Sequence, residues 1–214
     1  MGIQDRRERE RLERRASIHR AAIQVYQEEG YHGTTMEKIA RKAELSRATL
    51  YLYFKTKDDI FVERIVDQSD FFGDLLQGIY NGRGTLDTGI MEALWDGFKA
   101  FYRSDPITFN VTLYFHQSEM IRHLPKDLRL RLDRSGSRNY DLLCKIIAFA
   151  IQKGILMSCH PKTLAEVVWT TFLGIIHLEN SKEAMARKNH LDITFDLAQK
   201  ILSRGTSTKG VEPV

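Results

Sequence analysis

The chain has 214 residues, 43% of them hydrophobic and 28% charged, with a formal net charge of +4. That length buries one good core and a small accessory domain. It contains no apolar run of about 18 residues that would predict a membrane span, and its charged opening, RRERERLERR, does not read as a secretory leader.

Positive charge is concentrated at one end. Residues 1–57 hold thirteen Lys/Arg against eight Asp/Glu, and the remainder nineteen against twenty. A basic end on a neutral body fits a phosphate-backbone partner, and it also fits a solvated helix face. Cys144 and Cys159 are too far apart for a CxxC motif, so a reduced, cytoplasmic protein is expected.

Four prolines and recurrent helical spacing predict an all-α fold. The first helix is expected from Asp5 to Glu29, with Ile18, Ala21, Ala22, Val25 and Tyr26 on its core face and Gly30 as a left-handed end. Before Ile18 only Leu12 continues the stripe, so that stretch is expected to be exposed. Thr34 and Glu37 spell a capping box for a helix ending near Ala43. Ser46 caps the next, running to Phe54, and Thr56 with Asp59 opens a longer one ending near Leu76. Only Glu44 and Leu45 separate the second and third helices, and so tight a turn makes them cross steeply, as in a helix-turn-helix. The segment 78–84 (GIYNGRG) reads as a loop. Further helices are expected over 86–103, 106–121, 125–153, 161–185 and 190–204, and the tail from 206 to 214 reads as disordered. The functional division is a reading head over 1–60 and a helical body over 61–205.

The stretch from Gly30 to Asp59 is the most informative. Ile39, Ala40, Leu45, Leu50 and Phe54 point inward, which leaves Arg47, Ala48 and Tyr51 on the outward face of a short helix. A guanidinium, a small residue and a phenol beside a basic arm suit the major groove, where arginine bonds guanine well. The same pattern also fits a structural three-helix bundle with its charges in water.

The run resembles the N-terminal domain of the TetR/AcrR family across residues 16–62: a helix ending in Gly-Tyr, then Gly-Thr-Thr, Ile-Ala, Ala-x-Leu-Ser, Thr-Leu-Tyr-x-Tyr-Phe and Lys-x-Lys-Asp. The resemblance implies that Thr35 and Met36 lie beside the DNA backbone. It implies that Ser46, Arg47, Ala48 and Tyr51 face bases or adjacent phosphates, and that Tyr53 and Lys57 hold phosphates. Two positions depart from the pattern. Ala48 stands where glycine is frequent, and Leu52 replaces the polar or aromatic residue usual between the two tyrosines.

For the rest of the chain the resemblance implies a ligand-binding and dimerisation domain but supplies no motif. Trp95, Phe98, Tyr102, Leu113, His116, Met120, Phe172 and His177 are candidates for lining a small-molecule cavity. Taken one at a time, each reads more readily as core filling than as cavity lining. The segment 164–178 (LAEVVWTTFLGIIHL) is apolar nearly all round, so one side needs a cover beyond its own subunit. The last helix, with Leu191, Phe195, Ala198, Ile201 and Leu202, adds a second stripe, and a homodimer through these two helices is expected, with Ile176 and Ile201 in the shared surface. No metal-ligand spacing, cofactor signature or catalytic motif occurs, so neither an enzyme nor a metal site is expected. The expected function is a repressor released from a palindromic double-stranded DNA operator by a hydrophobic or amphipathic ligand. The alternative is a DNA-binding protein of the same fold that works through protein contacts without a ligand.

Overall fold

The short helices near the N-terminus begin where a side chain can satisfy their free N–H groups. In a computed structural model of the chain, which describes residues 3–85, 89–117, 120–185 and 190–208, Thr35 caps α2 (Met36–Lys42) and Ser46 caps α3 (Arg47–Tyr51). Thr56 and Asp59 complete a full capping box before α4 (Lys57–Gly82). The Thr56 amide donates to Asp59 Oδ2 at 2.7 Å, and the Asp59 amide donates to Thr56 Oγ1 at 3.1 Å. They follow α1 (Ile3–Gly33), which breaks at Gly30 with φ 69°. After α4 come a 3₁₀ turn (Arg83–Thr85), α5 (Ile90–Ser104), α6 (Pro106–Gln117), α7 (Met120–His123), α8 (Lys126–Gln152), α9 (Pro161–Ala184) and α10 (Leu191–Thr206). Among the described residues the only extended pairing is an isolated bridge between Leu156 and Ser207.

The chain forms two compact units, one of residues 1–69 and 105–135, the other of 70–104 and 136–214. Neither is a contiguous block, so the division at residue 60, drawn by function, is not the division by packing. In the first unit Ile18, Ala22, Ile39, Leu50, Phe54, Phe61 and Val62 pack with Val111, Phe115, Leu124 and Leu128. Helices α6 and α7 and the start of α8 thus share a core with the head. Tyr31 joins them, its ring 5.1 Å from Phe115 and 5.4 Å from Phe61. Asp105 stitches the same unit from the other side, accepting two bonds from Arg64 at 3.0 and 2.6 Å.

The second unit is built on aromatic packing. Phe72 stacks on Phe101 at 4.3 Å, Phe98 lies 5.1 Å from Phe172, and Phe172 stacks on Phe195 at 5.7 Å. The buried Trp95 indole donates to the Phe195 carbonyl at 2.9 Å, which satisfies its one polar group.

Several sequence expectations are corrected here. Thr34 is not the cap of α2; it is buried and its hydroxyl donates to the Gly30 carbonyl at 2.7 Å. Helix α3 stops at Tyr51 rather than Phe54, and Phe54 is reached through a tight turn. Helix α4 does not end near Leu76 but runs through 78–82, because Ile79 packs toward Gly97 and the Tyr80 ring stacks under Arg83 at 3.8 Å. The expected 106–121 helix is α6 and α7, with residues 118 and 119 outside the described residues. The head of the expected tail is ordered: the Met157 amide donates to the Thr206 carbonyl at 2.7 Å and the Thr208 amide to the Ile155 carbonyl at 3.3 Å. Residues 209–214 lie outside the described residues. Finally, Ile176 is wholly buried in its own subunit and is not a surface residue of α9.

A candidate nucleic-acid interface

The α2–α3 turn sets the geometry of the reading face. Ala43 closes α2, Glu44 takes a left-handed φ of 56°, and the Leu45 amide returns to the Ala40 carbonyl at 2.9 Å. Ala40 is small and buried, so α3 crosses close to α2, while Leu50 and Phe54 anchor α3 to the core. What remains outward is the expected trio: Arg47, Ala48 and Tyr51 are all exposed. The Arg47 side chain is 63% exposed and has only a loose partner, Glu37 at 3.9 Å. An exposed pair of that kind holds its members weakly, so the guanidinium is available to another acceptor.

The flanking residues divide by role. Thr35 and Ser46 are exposed, and their hydroxyls accept from Lys38 N at 3.3 Å and Thr49 N at 3.0 Å, so both are committed as caps. Met36 is half-buried against the core of the unit, and Tyr53 is half-buried beside it.

Lys57 is placed differently from the expectation that it holds a phosphate. Its ammonium donates to the carbonyls of Tyr31 at 2.7 Å and Thr34 at 3.0 Å, and sits 4.2 Å over the Tyr31 ring. Burial draws its pKa down, against the pull of Asp58. With two of three donors spent inside the protein, Lys57 chiefly locks the start of α4 to the α1–α2 connection. The neighbouring Tyr31 hydroxyl donates to Asp58; burial and that bond push its pKa up.

A second cluster, absent from the sequence reading, ties α1 to α4 behind the reading face. Arg15 Nε donates to Glu63 at 3.0 Å, His19 Nε2 lies 3.1 Å from the same carboxylate, and the Arg15 guanidinium covers the Phe54 ring at 4.3 Å. Burial alone would raise the Glu63 pKa, but the bonds from His19 and Arg15 outweigh it and bring it down to about 2.

The eight ligand candidates are not gathered into one set. Trp95, Phe98 and Phe172 are wholly buried in the aromatic core of the second unit, with half-buried Tyr102 6.5 Å from Phe195. Leu113, His116 and Met120 belong to the first unit, the first and last half-buried and His116 exposed. His177 is exposed on α9.

A reading helix joined to its neighbour by the four residues 43–46, its outer face open and its inner face in the core, defines a helix-turn-helix protein. The sequence profile of the bacterial regulatory proteins of the tetR family matches residues 18–63, which include this turn and its supporting helices. By this match the head of the chain resembles the tetR family. It is 25% identical over 134 residues to the fatty acid metabolism regulator protein of Bacillus subtilis (strain 168), a match spanning 63% of this chain and 66% of that relative, just under two thirds. The transcriptional regulator FadR of Bacillus subtilis, solved in complex with stearoyl-CoA, shares the fold with a TM-score of 0.63 and 20% identity, over 89% of this chain and 98% of that one. So does AibR, solved in complex with isovaleryl coenzyme A and operator DNA, with a TM-score of 0.67 and 18% identity over 88% and 97%.

Proposed function

We propose that this protein is a transcriptional repressor that binds a palindromic duplex as a homodimer and is released by an amphipathic acyl ligand. The carrying observation is the outward face of α3: Arg47, Ala48 and Tyr51 stand exposed on a helix whose opposite face, through Leu50, is wholly buried. A short helix in that state presents a rigid reading edge of a size the major groove admits. The dimer reading is supported by exposed apolar residues on two helices of one unit, Val167 and Leu178 on α9 and Ile193, Leu197 and Ile201 on α10. The acyl class is supported by the relatives, one named for fatty acid metabolism and two solved with acyl-CoA thioesters. Transfer from ligand to head has a physical carrier in α6. It packs on the head through Phe115, and its Tyr114 hydroxyl lies 2.9 Å from His32 Nε2. A displacement of α6 therefore acts on the connection that holds α2 in place, and the ligand needs only to bind the two arrangements unequally.

The test is a binding panel of single-base operator variants. Arg47→Ala is expected to relax preference at one base pair per half-site, a loss of roughly 1–3 kcal/mol of discrimination there. Uniform weakening with no relaxed position would assign Arg47 to the backbone and remove it from base reading.

A further inference from the structure

The first turns of α1 carry a pattern that the reading head leaves unexplained. From Ile18 onward the core-facing stripe of α1 is apolar: Ile18, Ala21, Ala22 and Val25 are all buried. Followed backward at helical spacing, the same stripe becomes Arg15, Arg14, Arg11 and Arg7. At that level these side chains front a groove of about 500 Å³ whose other wall is Leu52 and Tyr53, the residues that follow α3.

The charges in this groove do not cancel one another. Arg15 is committed to Glu63. Glu10, the acidic residue in the groove, is held by Arg6 at 2.9 Å, and Arg11 has only a loose i,i+3 neighbour in Glu8 at 3.6 Å. Arg7, Arg11 and Arg14 are exposed, and Leu52, at 83% exposure, is the most exposed large hydrophobic among the described residues.

Resting on the reading that α3 enters the major groove, we propose that Arg7, Arg11 and Arg14 form a second DNA-backbone contact, clamping the phosphates that flank each half-site. Arginine is the residue suited to it, because its planar fork meets two phosphate oxygens at once. The three span seven residues, about 10 Å of helix axis, against an axial spacing of 3.4 Å between phosphates of one strand. The stripe is long enough to reach two or three successive phosphates of one strand. Leu52, in the wall of that groove, covers the apolar sugar edge rather than facing water.

The experiment compares the full-length protein with the triple variant Arg7→Gln, Arg11→Gln, Arg14→Gln on one operator duplex, at several salt concentrations and by hydroxyl-radical footprinting. A control, Arg9→Gln with Arg20→Gln, removes charge from the other faces of the same helix. The triple variant is expected to bind at least tenfold more weakly at 0.1 M salt. Its salt slope should be shallower by about one for each phosphate no longer neutralised. Protection should vanish at the edges of the half-sites and persist at their centres, while base preference stays unchanged. Glutamine keeps the helix, and a matching thermal melt excludes a folding defect. Wild-type affinity, slope and edge protection in the triple variant, or an equal weakening in the control, would overturn the proposal while leaving base reading by α3 intact. Failure of the wild type to bind any duplex selected from a random library would instead overturn the function on which it rests.

Discussion

Residue by residue, the head is held by charged groups working inside the protein rather than toward DNA. Lys57 caps the carbonyls of Tyr31 and Thr34, and Glu63 gathers Arg15 and His19. The second cluster makes a pH-dependent contribution of definite sign. A carboxyl held at about 2 in the folded head, against about 4.3 in an unfolded chain, favours folding fully above about pH 5, and the benefit is lost as pH falls through the range down to about 2. Glu63→Gln is expected to cost about 2 kcal/mol at pH 7, between the values for exposed and buried pairs. The gap from wild type should close on acidification. Thermal melts of both proteins at pH 7, 4 and 3 check this, and a gap that stays constant would mean that the carboxylate charge is not what stabilises the contact.

Helix by helix, the sequence was most legible where local chemistry decides the structure. The Ser46 cap, the Thr56–Asp59 box, the Gly30 break and the inward set Ile39, Ala40, Leu50 and Phe54 all follow from spacing and residue type. It was least legible where long-range packing decides. Nothing local in GIYNGRG announces that Ile79 meets Gly97 and keeps α4 helical. Nothing in the separate periodicities of α1 and α4 pairs Arg15 with Glu63, 48 positions away. Aromatic candidates for a cavity were chosen by type alone, and type does not distinguish a lining ring from one such as Trp95, wholly buried and bonded to a backbone carbonyl. The arginine stripe did carry a signal, the shared phase of Arg7, Arg11, Arg14 and Ile18, but it emerges only when polar residues are included in the periodicity. The Gly30 break is testable. Its φ of 69° with ψ of −180° is a conformation nearly confined to glycine, and a Cβ there would meet nothing within 4 Å. Gly30→Ala is therefore expected to cost about 1–3 kcal/mol through backbone strain alone. Denaturant melts measure it, and a cost near zero would show that the α1 end relaxes to a different path.

For the whole molecule, the decisive question is what covers the outer faces of α9 and α10. On α9 the buried side is Leu164, Val168, Phe172 and Ile176, and on α10 Phe195 is buried, so each helix already has its own core. What stays outside on α10 is a stripe at four-residue spacing, Ile193 at 70% exposure, Leu197 at 57% and Ile201 at 61%, with Val167 and Leu178 exposed on α9. Large apolar residues in such a row are the surface that a second copy covers at a symmetric interface. Two charge insertions now separate cleanly, although sequence alone put both residues in the shared surface. Ile176→Lys places an ammonium in the subunit's own core and is expected to abolish folding. Ile201→Glu leaves the subunit core untouched and places an unpaired carboxylate in the proposed contact. It is expected to give a helical but monomeric protein, or one that unfolds on dilution if the subunit cannot persist alone. Operator affinity should collapse in either case, because a lone head engages one half-site. Sedimentation velocity at micromolar concentration, with circular dichroism on the same samples, checks the order of events. An Ile201→Glu protein that remains dimeric and binds operator normally would remove α10 from the interface and require the two heads to be paired through another surface.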